Sequence, residues 1–194
     1  MTQEDLDKVL ELHKKWLSNE EGGERANLSE VNLSWKNLVG ANLRGANLRG
    51  ADLRWAKLVG SNLRWANLVG ANLSGAYLEN IKANESTSGY WPVCPEEGSF
   101  VGWKKCMNNV IVKLLIPDDA QRSSATSRKC RCSKAVVLDV FGADEGFSTM
   151  DEGFIYKKGA TVLPDRFDDD RWNECSGGIH FFMSRKEAEC YNTL

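Results

Sequence analysis

Residues 26–80 read ANLSE VNLSW KNLVG ANLRG ANLRG ADLRW AKLVG SNLRW ANLVG ANLSG AYLEN, with a leucine at every fifth position from Leu28 to Leu78. A helix returns side chains to one face after three or four residues and a strand after two, so a strict period of five demands another geometry. Fixed-period self-similarity marks a solenoid. The residue before each leucine is nearly always Asn, as at Asn27, Asn32 and Asn42, and the one before that is usually Ala, as at Ala26, Ala41 and Ala46. One small and one large apolar residue in each unit describe a narrow interior filled by alternating sizes, with the other positions outside.

This A-(N/D)-L-x-x pattern resembles the pentapeptide-repeat family. The resemblance implies a short right-handed quadrilateral β-helix, four pentapeptides per turn, with the leucine and the residue two before it pointing inward. The eleven units then make just under three coils, stacked about 4.8 Å apart as neighbouring strands are. Lys36 occupies an inward Ala slot, so the first coil is open there or the lysine snorkels to solvent. Lys57 and Tyr77 replace the Asn, and the pattern decays after Leu78. Four units per turn also place Trp35 over Trp55, Val39 over Val59 and Arg44 over Arg64, while Arg49, Arg54 and Trp65 stand on other rungs. Trp35, Trp55, Trp65, Arg44 and Arg64 are thus the candidate interaction surface. The competing reading is that the tryptophans shield coil edges or form oligomer contacts. Arginines one rung apart repel unless an anion or carboxylate sits between them.

The net charge of −2 is unevenly spread. Counting Lys and Arg against Asp and Glu, residues 1–25 carry four against seven, residues 26–80 six against three, and residues 81–194 fifteen against seventeen. Some pentapeptide proteins occupy DNA gyrase by imitating DNA, which requires a strongly acidic rod. This mildly basic one disfavours such mimicry, and its excess is too small to point to nucleic-acid binding. All six cysteines lie after residue 93. The acidic, amphipathic N-terminus lacks the pattern of a signal peptide, and no run approaches membrane-spanning length. The expectation is a cytoplasmic protein with reduced thiols.

Thr2 followed by Asp5 resembles a capping box, and Leu6, Val9, Leu10, His13, Trp16 and Leu17 continue at helical spacing, predicting a helix over about 3–17. It would cap the exposed edge and interior of the first coil, with His13 as packing. The predicted organisation is a capping helix and turn (1–25), the β-helix (26–83), a polar linker (84–92) and a β-rich α+β domain (93–194), so the fold class is mainly β. In the last part, strands are predicted at 99–103, 110–116, 135–141, 153–156, 160–163 and 178–183, followed by a short helix from Ser184.

This C-terminal half resembles an uncharacterised domain that follows pentapeptide repeats in many bacteriophage proteins. The stretches carrying the likeness are VKLLIP (112–117), RSSAT (122–126), RKCRC (128–132) and RWNECSGGIHFF (171–182). The likeness implies a phage-encoded protein acting in the host bacterial cytoplasm and says nearly nothing about activity.

Familiar catalytic signatures are missing: no phosphate loop, no His-Glu-x-x-His, no Gly-x-Ser-x-Gly and no calcium loop. His180 would have to serve as any ordinary general base, with Cys175 as its catalytic partner in an enzyme. Cys130, Cys132, Cys175 and His180 form a candidate zinc set, although the spacing is not that of paired Cys-x-x-Cys sites, and Cys130 and Cys132 on one strand face equally suit packing. The basic residues around them could also activate a thiol. Residues 177–182 are distantly similar to the Gly-x-Tyr-Phe element of ADP-ribosyltransferases, with His180 in the tyrosine position and no catalytic Glu in place. Asp165, Asp168, Asp169 and Asp170 could hold a divalent ion or form an acidic surface turn. Arg122, Ser123, Ser124, Arg128 and Lys129, with His180, are the candidate ligand-binding residues, offering donors to a phosphate. A solvated polar loop is the alternative.

The leading expectation is a non-enzymatic binding protein that captures or blocks a host component, either a defence protein or a small anionic nucleotide signal. The rod would be its scaffold or homo-oligomerisation module, with no cofactor, membrane or nucleic-acid partner. An enzyme of ADP-ribosyltransferase or hydrolase type centred on His180 and Cys175 is the alternative, and gyrase modulation by the rod is the third.

Overall fold

In a computed structural model of the protein, which describes residues 1–151 and 153–191, the leucine repeat returns to register every twenty residues. Parallel bridges join Asn27 to Asn47 and Asn47 to Asn67, and likewise Asn32 to Asp52 and Asp52 to Asn72. The ladder is continuous: Leu28 N donates to Asn47 O at 2.7 Å, and Asn47 N donates to Ala26 O at 3.0 Å. Every leucine from Leu28 to Leu73 is buried, with Ala26, Ala46, Ala51, Ala56, Ala66 and Ala71 beside them. Lys36 is half-buried in its Ala slot and passes its carbonyl to Lys57 N at 2.9 Å, so the coil is unbroken there.

Local chemistry explains the rest of the motif. Each Asn accepts the amide two residues on with its own Oδ1, as Asn62 does from Arg64 at 3.2 Å and Asn72 from Ser74 at 3.0 Å. That side-chain turn is one that Asn and Asp form and Ala cannot. The leucine carbonyl then accepts from the next unit, Ala46 N to Leu43 O at 2.9 Å. Between them the fifth residue of every unit, from Glu30 to Asn80, has positive φ. This is the third position of a type II turn, where glycine is favoured because a Cβ is strained.

Helix α1 (Gln3–Leu17) opens on the Thr2–Asp5 capping box and buries Leu6 and His13. Its side chains occupy the first coil's free edge. The Gln3 amide donates to Asn37 O at 3.1 Å and accepts from Asn37 N at 3.0 Å, standing in for a neighbouring strand. His13 Nδ1 accepts from Ala26 N at 3.1 Å, and burial lowers the ring's basicity, so the neutral form is the one built in. At the other end, residues 84–91, which read as linker, continue the hydrogen bonding. Leu68 N donates to Ser88 O at 2.8 Å, Ser88 N donates to Ala66 O at 3.0 Å, and Trp65 N donates to Asn84 Oδ1 at 3.0 Å. Here the polar side chains meet backbone groups that another repeat would have met. The chain divides into two compact units after this segment, Met1–Trp91 and Pro92–Leu194.

The second unit contains strands β1 (Phe100–Lys105), β2 (Ile111–Ile116), β3 (Arg122–Ser124), β4 (Lys129–Cys132), β5 (Ala135–Phe141), β6 (Glu145–Phe147), β7 (Ile155–Lys157), β8 (Thr161–Val162), β9 (Ile179–Phe182) and helix α2 (Arg185–Cys190). Seven strands pair antiparallel in the order β3-β4-β9-β1-β2-β5-β8, and β6 pairs with β7. One sheet face carries the main core, including Cys106, Val112, Leu114, Cys130, Cys132, Tyr156 and Phe181. The other is covered by α2 through Ala188, against Ile111 and Phe182. Strands β3, β4 and β6 lie outside the strand runs predicted from sequence. Their residues, Arg-Ser-Ser, Lys-Cys-Arg-Cys and Glu-Gly-Phe, have weak intrinsic strand preference and pair because their neighbours offer open edges.

The fifth position separates two costs. Gly60 and Gly75 both have positive φ, but a Cβ at Gly60 meets nothing within 4 Å, whereas at Gly75 it lies 2.5 Å from the Trp55 ring. Urea unfolding should show Gly60→Ala losing about 1 kcal/mol, the left-handed penalty alone. Gly75→Ala should lose about 1 kcal/mol more, the worth of a displaced aromatic stack. That surplus should vanish in a Trp55→Ala background.

Candidate functional site

Alternation along β1 sends Trp103 to the α2 face, opposite Phe182, and therefore Lys104 to the core face, opposite Val112. The Lys104 residue is only 7% exposed. Its Nζ donates to His180 O at 3.3 Å and lies 5.4 Å from the centroid of the Tyr156 ring. Among the described residues no carboxylate comes within ion-pair distance of it. Burial lowers its pKa, because an ammonium that loses water without gaining a counter-ion favours the neutral amine. Tyr156 reaches the same place from the β6–β7 hairpin, and burial pushes its phenol well above the ordinary value. The two help wall a cavity of about 390 Å³ that is also lined by Asp151, Arg166, Cys175 and His180.

His180 and Cys175 thus line one cavity. Nε2 of His180 donates to Ser176 O at 2.9 Å, which fixes the tautomer, and burial leads the causes that bring its pKa down to about 4. Such an imidazole holds a proton weakly at neutral pH. Cys175 is exposed, with Lys129 Nζ 3.7 Å from its sulfur.

The candidate phosphate cluster is dispersed by its own structural duties. All five N–H donors of Arg122 are engaged, with the carbonyls of Ala120, Pro95, Gly98, Pro117 and Asp118 at 2.8–3.3 Å. This guanidinium is a staple for two loops and has nothing left for a ligand. Arg128 pairs with Glu187 at 2.6 Å, Ser123 and Ser124 are buried, and Ser124 Oγ accepts from Val93 N at 2.8 Å. Cys130 and Cys132 sit side by side on the buried core face, while Cys175 is exposed. No group of three His, Cys, Asp or Glu side chains is placed to hold a metal ion among the described residues. Asp168 turns its carboxylate on its own loop, accepting from Asp170 N at 3.0 Å and Asn173 Nδ2 at 2.8 Å.

On the rod, Trp35 and Trp55 stack with centroids 5.5 Å apart and planes 15° from parallel. They are 70% and 46% exposed, and Trp65 is 47% exposed. All three sit at the left-handed fifth position, a strained conformation for a bulky residue. The Arg44 guanidinium lies 4.5 Å over the Trp65 ring. That contact provides Arg44 with a π face, and no carboxylate pairs with it among the described residues.

Comparison with known proteins places both halves. Residues 90–188 match a family described as a family of unknown function (DUF5758). The chain belongs to that family. Its repeat matches pentapeptide repeats (8 copies) over residues 26–64 and 46–82. Similar solved structures include a pentapeptide repeat protein from the cyanobacterium Cyanothece 51142, with 47% identity over 31% of this chain and 41% of that one and a TM-score of 0.31. A second is HetL from Nostoc sp. strain PCC 7120, involved in heterocyst differentiation regulation, with 38% identity, 32% and 31% coverage and a TM-score of 0.30. A thylakoid-lumen pentapeptide repeat protein from Arabidopsis thaliana shares 32% identity over 32% of this chain and 45% of that one, with a TM-score of 0.29. The chain spans less than half the length of each of these three. No curated protein matches it significantly. No helix of the described residues in this DUF5758 family member is long and apolar enough to cross a membrane.

Sequence reasoning overlooked Lys104 and Tyr156. The available signal was the run FVGWKK, where alternation puts Lys104 on the face of Phe100 and Gly102. Two adjacent lysines disguise it, since Lys105 is the one that reaches solvent-side carbonyls, those of Glu189 and Tyr191, at 3.2 and 2.9 Å.

His180 makes stability pH-dependent. Its pKa falls from an ordinary 6.5 to about 4 on folding, so its contribution is complete above 6.5 and is lost as pH falls from there toward 4. Urea unfolding measured across that window should show a shallower slope for His180→Gln than for the unsubstituted protein.

Proposed function

We propose that the C-terminal unit is a non-enzymatic receptor for a small anionic ligand, bound in the cavity walled by Lys104. The right-handed, four-sided β-helix serves as its scaffold. The observation that carries this reading is the buried Lys104, which has no carboxylate partner among the described residues. A buried cation without a counter-ion is a liability for stability. An anion entering the cavity supplies the missing charge and restores the ammonium's proton. A cavity of about 390 Å³ suits a small molecule. The enzyme reading is weaker, because His180 is a poor base with its Nε2–H already committed to Ser176 O. In the phage setting that the C-terminal resemblance implies, the bound species would be a host anion such as a nucleotide signal, withdrawn stoichiometrically in the host cytoplasm.

The test is a thermal-shift titration of the full chain with inorganic phosphate, a dicarboxylate and a nucleoside monophosphate. At least one anion class should raise Tm in a saturable way, more strongly at lower pH where Lys104 is protonated, and Lys104→Met should abolish the rise. Without ligand, Lys104→Met should be more stable than the natural chain by about 1–3 kcal/mol, since a side chain of similar volume removes the desolvation cost. A destabilised Lys104→Met, or shifts that survive the substitution, would overturn the proposal.

A further inference from the structure

A second feature of the C-terminal unit is independent of the Lys104 cavity. Cys94 lies in the segment before β1, between Pro92 and Pro95, and is nearly buried at the wall of a smaller cavity of about 250 Å³ lined also by Ser124, Arg122 and Arg171. Cys130 stands on β4 directly opposite Ser124 of β3. Both thiols belong to the same buried core cluster, and the Cys130 thiol donates to Arg128 O at 3.9 Å. The Cys94 thiol donates to Ser124 Oγ at 3.7 Å, and that oxygen also accepts the Val93 amide, so the serine hydrogen is free to turn to the sulfur once Cys94 ionises. Cys94 therefore has a hydroxyl at hand, a nearby guanidinium and a cavity beside it, whereas Cys130 is fully buried.

We propose that Cys94 and Cys130 form a peroxide-reactive dithiol, with Cys94 as the attacking sulfur and Cys130 as the resolving one. The electronic setting agrees: the neighbouring Cys130 thiol and then Ser124 favour the Cys94 thiolate, while the neighbouring Cys94 and burial hold Cys130 as the thiol. The other two core cysteines are built oppositely, since burial raises Cys106 to about 11 and Cys132 to about 12. In the first step the Cys94 thiolate attacks one peroxide oxygen. The O–O bond breaks, Cys94 becomes a sulfenic acid, and the departing oxygen takes a proton to leave as water or an alcohol. In the second step the Cys130 sulfur attacks the sulfenic sulfur. The S–O bond breaks, and the hydroxyl leaves as water with the Cys130 proton. Two thiols are oxidised and one peroxide is reduced. The product fastens the first residues of the C-terminal unit to β4.

The experiment uses the full chain carrying Cys175→Ser and Cys190→Ser, which removes the two exposed thiols. It is treated with a few equivalents of hydrogen peroxide, alkylated and mapped by mass spectrometry without reduction. The expected product is one peptide pair linked through Cys94 and Cys130, with Cys106 and Cys132 alkylated only after denaturation. Iodoacetamide should label Cys94 of the reduced protein at least tenfold faster than either of those two, with its half-maximal rate at a lower pH than theirs. In Cys130→Ala, which keeps the site small and apolar, peroxide should carry Cys94 on to sulfinic acid. A Cys94 left reduced by peroxide, Cys94 sulfinic acid as the main product with Cys130 present, or a disulfide to another cysteine would each overturn the proposal.

Discussion

A backbone amide or carbonyl shut away from water without a partner costs about as much as a lost hydrogen bond, and both units are arranged around that constraint. The rod satisfies it by repetition, since each coil is the partner of the next. It then needs substitutes only where repetition stops. Gln3 mimics a strand at Asn37, His13 accepts the Ala26 amide, and Asn84 and Ser88 complete the last rung. The C-terminal sheet has no such symmetry and uses cationic side chains. Arg122 collects five carbonyls, Arg131 holds those of Asp170 and Gly177, and Lys105 closes the end of α2.

That use of basic residues decides where binding can occur. A cluster rich in Arg, Ser and Lys looks like a phosphate site only while its donors are unspent. Here Arg122 is saturated and Arg128 is paired. Lys104 differs from both: among the described residues its Nζ has the His180 carbonyl as hydrogen-bond partner and no carboxylate. The same logic separates the thiols. Burial suppresses the ionisation of Cys106 and Cys132, whereas Cys94 has the Ser124 hydroxyl beside it at the wall of a cavity.

Strain is distributed with similar economy on the rod. Most fifth positions are glycine, as the left-handed backbone favours, and three are tryptophan. The Trp35–Trp55 stack and the Arg44 contact with Trp65 offset part of that cost. They leave an exposed aromatic edge on a rigid support.

The sequence by itself determined the rod. Its five-residue period marked a solenoid and its A-(N/D)-L-x-x units resembled the pentapeptide-repeat family, which implied the four-sided coil, so residues 26–80 were legible unit by unit. It also determined both capping boxes, at Thr2 and Ser184, because these are local hydrogen bonds between residues three apart. Only the tertiary structure decided that 84–91 completes a coil, that RSS and KCRC are strands, that Arg122 is a staple and that Lys104 is buried. Each of those depends on which distant backbone or face lies opposite. Asn84 meets Trp65, Ser124 meets Cys130 and Lys104 meets Tyr156 through pairings that no local pattern encodes.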